Sequence, residues 1–447
     1  MTISSENTPY PVENPMPEPE QTSLQGQVLF SRLHSRIAFF QVGIPGVEER
    51  QVAIPRTPNE DGTYSDDLVN IKIGDVVSAT GTLGETETSK RRGLGQISLF
   101  ADKLTVNADN QAPRWPGEHT MAQLDRQADH TTALLERHAS RRAIRTMLDS
   151  QGYVELETSI LQQNPSGAAA RTFSTVANFN NATYHLRIAP EIDLKYEMAR
   201  TGLPRVYEIG RNFRNEGISP THHPEFTNME MYTVGDDQDT SIATARKLLA
   251  TTAEAFNVTE PVDFDRAPIL DYGDLFKRHL GIDLDKLSKL GNDEQAAYLR
   301  TYMVRNNIID PAVTDLHTTG MLDLMFKKVV RPTLIGASIV TGYLSRQMPL
   351  AAARADNPNI VDGFQVIVHT QEVVKAYNEL TDPELLQKNL AAQAGEAEED
   401  ATPTDPRLIE AARMGLPQMY GIGLGLDRFH ALMTGRRIED VIPVSIK

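Results

Sequence analysis

The sequence predicts an α+β chain in which a small β-barrel precedes a larger domain built on an antiparallel sheet flanked by helices. Three observations predict it. Short alternating strands crowd residues 24–106. A strongly periodic helix follows them. Beyond that helix, strands, then helices, then strands succeed one another without the regular alternation that a parallel sheet requires.

Residues 1–22 (MTISSENTPYPVENPMPEPEQT) are acidic and Pro-rich, with no basic start and no apolar stretch. They predict a disordered tail rather than a secretory signal. Residues 23–108 hold four or five short strands: GQVLFSRLHSRIAFFQVGI, ERQVAIP, IKIGDVVSATGTL and GQISLFADKLTV, punctuated at Gly74-Asp75 and Gly81. That number in so short a span suggests a closed barrel of the oligonucleotide-binding type. On pattern alone, Phe39 and Phe40 are both assigned to its core. Residues 109–131 read as a polar linker carrying Trp115, and 132–447 as the second domain.

Leu134, Leu135, Ala139, Ala143, Ile144, Met147 and Leu148 recur at helical spacing, with Gly152 as a C-terminal cap. YVELETSI reads as a strand leaving that helix. TYHLRIAPEIDLKYEMA passes from strand to helix through Pro190-Glu191. Arg205–Tyr232 predicts an antiparallel hairpin turning at Gly217, Ser219 and Pro220. Residues 240–330 are mostly helical, with a polar break near Asp283–Asp293. Strand signals return from Ile360 in FQVIVHTQEVVKAYNEL. Ala391–Asp405 is small and acidic and reads as a loose excursion. GLPQMYGIGLGLDRFHALM closes the domain as a Gly-rich strand running into a helix.

Composition sets bounds on function. A chain of 447 residues has room for two or three domains. The net charge of -16 argues against broad coating by nucleic acid, while leaving room for a local basic patch. The absence of cysteine excludes disulfides and thiolate metal sites, and it suits a cytoplasmic setting. No apolar run reaches the roughly eighteen residues that a membrane helix needs. No GxxxxGK[ST] loop is present, so a P-loop nucleotide site is excluded.

The hairpin carries the strongest chemical signal. Arg214 offers a fork to a phosphate or carboxylate, Glu216 accepts from an exocyclic amine, and Phe226 offers a ring to a base. Gly421, Gly423 and Gly425 recur every second residue, which in a strand clears one face for a flat ligand. Arg428 follows them.

FRNEGISPTHHPEF with NMEMY resembles the second signature motif of class II aminoacyl-tRNA synthetases. GIGLGLDRFHAL resembles the third motif and RAIRTMLDSQGYVELET the first. NPSGAAARTF, LRIAPEIDLK, RNFRNEGIS and AYNELTDP resemble the lysyl branch of that class, and the N-terminal strands resemble its anticodon-binding barrel. The resemblance spans residues 24 to 443 in nearly collinear order.

It implies a class II catalytic domain with a six-stranded antiparallel sheet, and a homodimer built around the first motif. It also implies ATP-dependent activation of L-lysine and transfer to tRNA(Lys), with Mg2+. Arg214 would hold the α-phosphate and the amino-acid carboxylate, and Glu216 the adenine amino group. His222 would lie near the triphosphate, with Phe226 stacked on adenine. Arg428, after Gly425, would clamp the γ-phosphate, and Glu372 would bind the metal, with Gln365 as a second metal position. Gly167 and Glu191 would take the α-amino group. Tyr232 and Glu379 would take the ε-ammonium, with Glu230 and Tyr377 beside them. Arg32, Phe39 and Gln51 would read the anticodon.

A substrate with two ammonium groups calls for a pocket rich in carboxylates and free of competing bases. Taken singly, Glu191 also reads as a plain carboxylate at a helix N-terminus, and His223 as spare. The sequence departs from the family pattern in its DVIPVSIK end, in the short barrel with its loop GIPGVEERQVAIPRTPNEDGTYSD, and at four single positions. Gln365 replaces a metal-binding glutamate, Lys375 an asparagine, Ser159 a proline and Thr221 a hairpin arginine. Two other readings accompany the main one: a lysine-activating paralogue with a non-tRNA acceptor, and a nonenzymatic tRNA-binding paralogue. Retention of Arg214, Glu216, Phe226, Glu372, Glu379 and Arg428 weighs against the second.

Overall fold

A computed structural model describes residues 21–33, 37–44, 48–56, 67–72, 74–85, 97–108, 121–164, 170–258, 260–313, 316–396 and 405–443. Residues 1–20 of the predicted tail, Trp115 and most of the predicted linker, residues 397–404 and Gly167 lie outside that set. The chain divides into two compact units, Met1–Ala133 and Leu134–Lys447.

The first unit contains β1 (Gln21–Leu33), β2 (Ile37–Ile44), β3 (Glu48–Pro55), β4 (Val76–Glu85) and β5 (Ile97–Ala108). They close into a barrel in the order β1-β2-β3-β5-β4, with β1 pairing back onto β4. Val28, Phe40, Val42, Val52, Val77, Ala79 and Leu99 fill its interior. β1 starts at Gln21, two residues inside the predicted tail, because Gln21 and Thr22 pair with Thr82 and Gly81. Only one of the two adjacent phenylalanines joins the core. Successive side chains in a strand face opposite ways, so Phe40 is fully buried while Phe39 turns outward and is half-buried. Gly81 is not a strand break. It sits inside β4 at a register shift, where a Cβ would lie 1.9 Å from the Phe100 carbonyl oxygen.

Helix α1 (Met121–Ser150) begins well before the end of the predicted linker. The segment is polar but contains no Gly or Pro, and Met, Ala, Gln, Leu and Arg are good helix formers. After α1, YVELETSI yields only the two-residue strand β6 (Val154–Glu155). Short strands β7 (Leu161–Gln162), β8 (Ser174–Val176) and β9 (Thr183–Leu186) form a separate three-stranded sheet. Helix α2 (Glu191–Thr201) starts at Glu191 after Pro190, as read from the sequence. The hairpin follows as β10 (Arg205–Phe213) and β11 (Glu225–Val234), paired in register throughout.

The mostly helical stretch contains α3 (Gln238–Ala253), α4 (Tyr272–Leu280), α5 (Leu284–Leu287), α6 (Asn292–Arg305) and α7 (Thr318–Met325). The polar break is real but holds the short α5, capped by the Asp283 side chain. A three-residue strand, β12 (Ile269–Asp271), and then β13 (Ala337–Thr341) precede the predicted return of strands. β14 (Gly363–Val368) and β15 (Gln371–Asn378) follow. Helix α8 (Pro383–Glu396) extends into the supposed loose excursion, whose alanines favour helix. Helix α9 (Pro406–Arg413), β16 (Met419–Leu424) and helix α10 (Leu426–Thr434) complete the site-bearing elements.

The main sheet has eight strands in the order β12-β13-β14-β15-β16-β11-β10-β6. The central six are antiparallel, as expected. A short parallel strand is added at each edge, β12 on β13 and β6 on β10. One face of the sheet is packed by helices: Met229, Met231, Val374, Ala376, Ile422 and Leu424 meet Ile144, Leu148, Leu248 and Phe429. The opposite face of the same strands carries Glu230, Tyr232, Lys375, Tyr377, Gly421 and Gly423. Gly81→Ala is expected to destabilise the barrel by about 1–3 kcal/mol through backbone overpacking. A lowered thermal unfolding midpoint by circular dichroism checks this, and an unchanged midpoint contradicts it.

Candidate functional site

Strand register builds the floor of the site. Tyr232 pairs with Gly421, and Gly421 with Tyr377; one step along, Glu230 pairs with Gly423, and Gly423 with Lys375. The two glycines leave a trough between a wall of Glu230 and Tyr232 and a wall of Lys375 and Tyr377. At Gly421 there is no room for more: a Cβ would lie 2.6 Å from both Glu379 Oε1 and the Tyr232 ring. Gly425 is not part of this face. β16 ends at Leu424, and Gly425 caps helix α10 with its N–H bound to the Val373 carbonyl.

The trough is acidic and buried. Glu191, Glu230 and Glu379 are each less than a tenth exposed. Asn228 Nδ2 donates to Glu230 Oε1 at 2.8 Å, and the Tyr232 hydroxyl to Glu230 Oε2 at 3.3 Å. The Tyr377 hydroxyl donates to Glu191 Oε1 at 2.9 Å. Burial, and then the Glu191 charge, push the Glu230 carboxyl up to about 7. Burial pushes Glu379 up to about 8, against the pull of Lys195. Glu191 does stand at the helix N-terminus, but its side chain belongs to this cluster.

The expectation of a pocket free of competing bases does not hold. Lys195 is buried in it, with Nζ 2.6 Å from Glu191 Oε1 and 2.5 Å from Glu379 Oε2. Burial disfavours its charge, but the two carboxylates outweigh that and raise its pKa. The sequence signal was available: Glu191 and Lys195 are four apart on one helix face.

Four residues up β11 from Glu230, about 13 Å along the strand, Phe226 lies on the same face. The Arg214 guanidinium sits 5.2 Å from its ring centroid. Arg214 Nε is buried without a hydrogen-bond partner among the described residues, so it is open to an anion. Glu216 is exposed beyond it. Arg428, on the first turn of α10, donates from Nη1 to the Glu372 carbonyl at 3.0 Å and from Nε to the Thr221 carbonyl at 3.4 Å. It thereby ties the hairpin loop to β15. His222 is exposed, with Ser219 Oγ 2.9 Å from its Nδ1. Loss of solvation, and then the Arg428 charge, hold its pKa below the ordinary histidine range. His223 is buried, its Nδ1 2.6 Å from the Glu225 carbonyl, in a structural position.

The donor set for a metal is small. Among the described residues no group of three or more His, Asp or Glu side chains is arranged to hold an ion. Gln365 Oε1 already accepts from the Tyr343 hydroxyl at 2.8 Å. Glu372 remains as a single carboxylate beside Arg428. That suits a magnesium ion carried mainly by phosphate oxygens and water, not a closed protein cage.

In the barrel, Arg32 pairs with Phe39, Phe39 with Ala53, and Gln41 with Gln51. Arg32, Phe39 and Gln51 therefore share the outer face of β1–β3. Ser98 Oγ donates to Gln51 Oε1 at 3.0 Å.

Beneath the hairpin, the buried Arg187 pairs with Glu208 at 2.5 Å and donates to the Arg211 carbonyl at 2.8 Å. Thr158 Oγ1 donates to the same glutamate at 2.7 Å.

A family profile described as tRNA synthetases class II (D, K and N) matches residues 117–445. A lysine–tRNA ligase of Ureaplasma urealyticum is 33% identical over 384 residues, covering 82% of this chain and 76% of that protein. One from Clostridium acetobutylicum is 29% identical, covering 95% and 84%. A probable cytoplasmic lysine–tRNA ligase of Enterocytozoon bieneusi is 29% identical, covering 94% and 86%.

Arg187→Met is expected to cost about 3–5 kcal/mol, because it leaves Glu208 as a buried charge without its partner. Urea unfolding of the full chain checks this; a shift below about 1 kcal/mol would show that Thr158 alone satisfies the carboxylate.

Proposed function

This chain belongs to the class II tRNA synthetases (D, K and N), and from that premise we propose that it activates L-lysine with ATP and transfers it to tRNA(Lys). The observation that carries the amino-acid assignment is the buried trough of Glu191, Glu230 and Glu379 over Gly421 and Gly423. An acidic substrate entering it would meet like charge. A neutral one would leave carboxylates unpaired, at a cost of several kcal/mol of discrimination in ordinary cases. Lysine brings two ammonium groups and matches the site. The relatives' printed names support the same substrate.

In the proposed reaction Phe226 and Arg214 hold the adenine and α-phosphate end of ATP, with Glu216 on the adenine amine. Arg428 and His222 receive the distal phosphates. Glu191, with Gly167, takes the α-ammonium; Glu379 and Tyr232, backed by Glu230 and Tyr377, take the ε-ammonium. The lysine carboxylate attacks the α-phosphorus in line, and the bond to pyrophosphate breaks. The tRNA terminal hydroxyl then attacks the lysyl carbonyl and AMP leaves. No side-chain nucleophile is needed in the first step; positioned arginines and the phosphate-borne charge balance do the work. Glu372 would hold Mg2+, which neutralises developing phosphate charge when bound.

Three finer assignments accompany this reading. The five-stranded barrel acts as an oligonucleotide-binding fold, with Arg32 and Phe39 on its outer face reading the anticodon and Gln51 beside them. The enzyme works as a cytoplasmic homodimer. Exposed apolar side chains at Val154, within the first motif, and at Ile160, Leu161, Val176 and Phe179, after it, support the dimer. The barrel also weighs against a non-tRNA acceptor, and the retained arginines against a nonenzymatic role.

Lysine-dependent ATP–pyrophosphate exchange is expected, with Arg214→Ala lowering its rate about a hundredfold or more. Absence of exchange with lysine would sink the reading. Glu379→Gln is expected to raise the KM for lysine about tenfold to a hundredfold while the KM for ATP stays near wild type. Equal losses for both substrates would remove Glu379 from the ε-ammonium site.

A further inference from the structure

Lys195 has no part in the reaction as described, yet it lies at the centre of the amino-acid pocket. It is 1% exposed, and its Nζ touches the carboxylates assigned to the two ends of the substrate. Nζ also lies 5.6 Å from the Tyr232 ring centroid and 5.8 Å from that of Tyr377. The groups around it come from Glu191 on α2, Glu230 and Tyr232 on β11, Lys375 and Tyr377 on β15, and Glu379 just past the end of β15. Glu379 is divided between two directions. Its Oε2 is held by Lys195, while Oε1 is buried with no hydrogen-bond partner among the described residues and lies over Gly421 beside Tyr232.

We propose that Lys195 is a positioning residue for the substrate, a built-in counterion that grips Glu379 by Oε2 and so turns Oε1 into the trough to receive the ε-ammonium. This rests on the lysine reading above. The charge count favours it. With all three carboxylates ionised around the bound substrate, the one resident ammonium leaves two negative charges, the number that lysine's two ammonium groups neutralise. Lys375, exposed at the rim and 5.9 Å from the Tyr377 ring centroid, does not enter that count. One ammonium placed between two carboxylates also keeps them from repelling each other across the empty pocket. A lysine does this without the five fixed donors of an arginine, and so leaves the outward oxygen free.

The pH dependence has a defined sign. Glu230 and Glu379 both lie above the ordinary carboxylate range, so the empty pocket holds protons near neutrality. A bound cation favours their ionised forms. Affinity for lysine therefore rises as pH passes upward through that range. Lys195 pulls the Glu379 pKa down. Removing it moves the rise to higher pH.

The test is lysine-dependent ATP–pyrophosphate exchange by the full chain across pH. Lys195→Met is expected to raise the KM for lysine about tenfold or more at neutral pH, with the KM for ATP within about twofold of wild type. The deficit should narrow as pH rises. Lys195→Arg should recover part of the loss, and Lys195→Met should add less than about twofold in a Glu379→Gln background. An unchanged lysine KM, equal losses for lysine and ATP, or a deficit independent of pH would each overturn the proposal. Should the Met variant not fold, Lys195→Gln carries the same comparison with the same outcomes. A wild-type chain inert with lysine would overturn the substrate reading instead, so the two failures are distinguishable.

Discussion

Successive side chains of a β-strand point to opposite faces, and β11, β16 and β15 keep that alternation in register with one another. Met229, Met231, Ile422, Leu424, Val374 and Ala376 go to the helix-packed face. Glu230, Tyr232, Gly421, Gly423, Lys375 and Tyr377 are thereby committed to the other. A one-residue slip in any of these strands would exchange a core side chain for one of the trough. The size of the apolar face is thus what holds the polar face in place. The buried pair Arg187–Glu208 supports β10 at the edge of this arrangement.

The two ends of the site solve different electrostatic problems. At the hairpin loop, Arg214 and Arg428 gather positive charge, and Phe226 gives the Arg214 guanidinium a flat face to rest on. Such a site waits for an anion, and the unpartnered Arg214 Nε is the local sign of it. At the trough, three carboxylates are buried together. Their mutual repulsion is moderated by Lys195 and by hydroxyl and amide donors from Tyr232, Tyr377 and Asn228. Gly421 and Gly423 keep the floor of the trough bare between Glu230 and Tyr232 on one side and Lys375 and Tyr377 on the other. Arg428 fastens the loop to β15 through the Thr221 and Glu372 carbonyls.

Much of this was legible in the chain. The hairpin, the strand-to-helix passage at Pro190-Glu191, and the strand-to-helix passage after Gly421 were all readable, because each is long, periodic or marked by Gly and Pro. The errors have local causes. Phe39 and Phe40 look alike in sequence but face opposite ways in β2. Gly81 reads as a break, yet it serves the close approach of two strands. The start of α1 and the end of α8 are polar or small-residue helix, which composition alone mistakes for loop. The edge strand β12 is too short to leave a periodic signal, and β6 keeps only two residues of the strand read at YVELETSI.

The sequence by itself determined the α+β class and named most of the groups that line the trough, though not Lys195, and its motif resemblance implied the six-strand antiparallel core. Periodicity and residue chemistry are local properties, and they survive in the linear order. Only the tertiary structure decided how those groups meet. Lys195 and Glu379 are far apart in sequence but joined by an ion pair, and Gln365 is claimed by Tyr343. Pairings of that kind depend on strand order and on which face each residue takes. Both follow from how the whole sheet buries its apolar side, and no single segment encodes them.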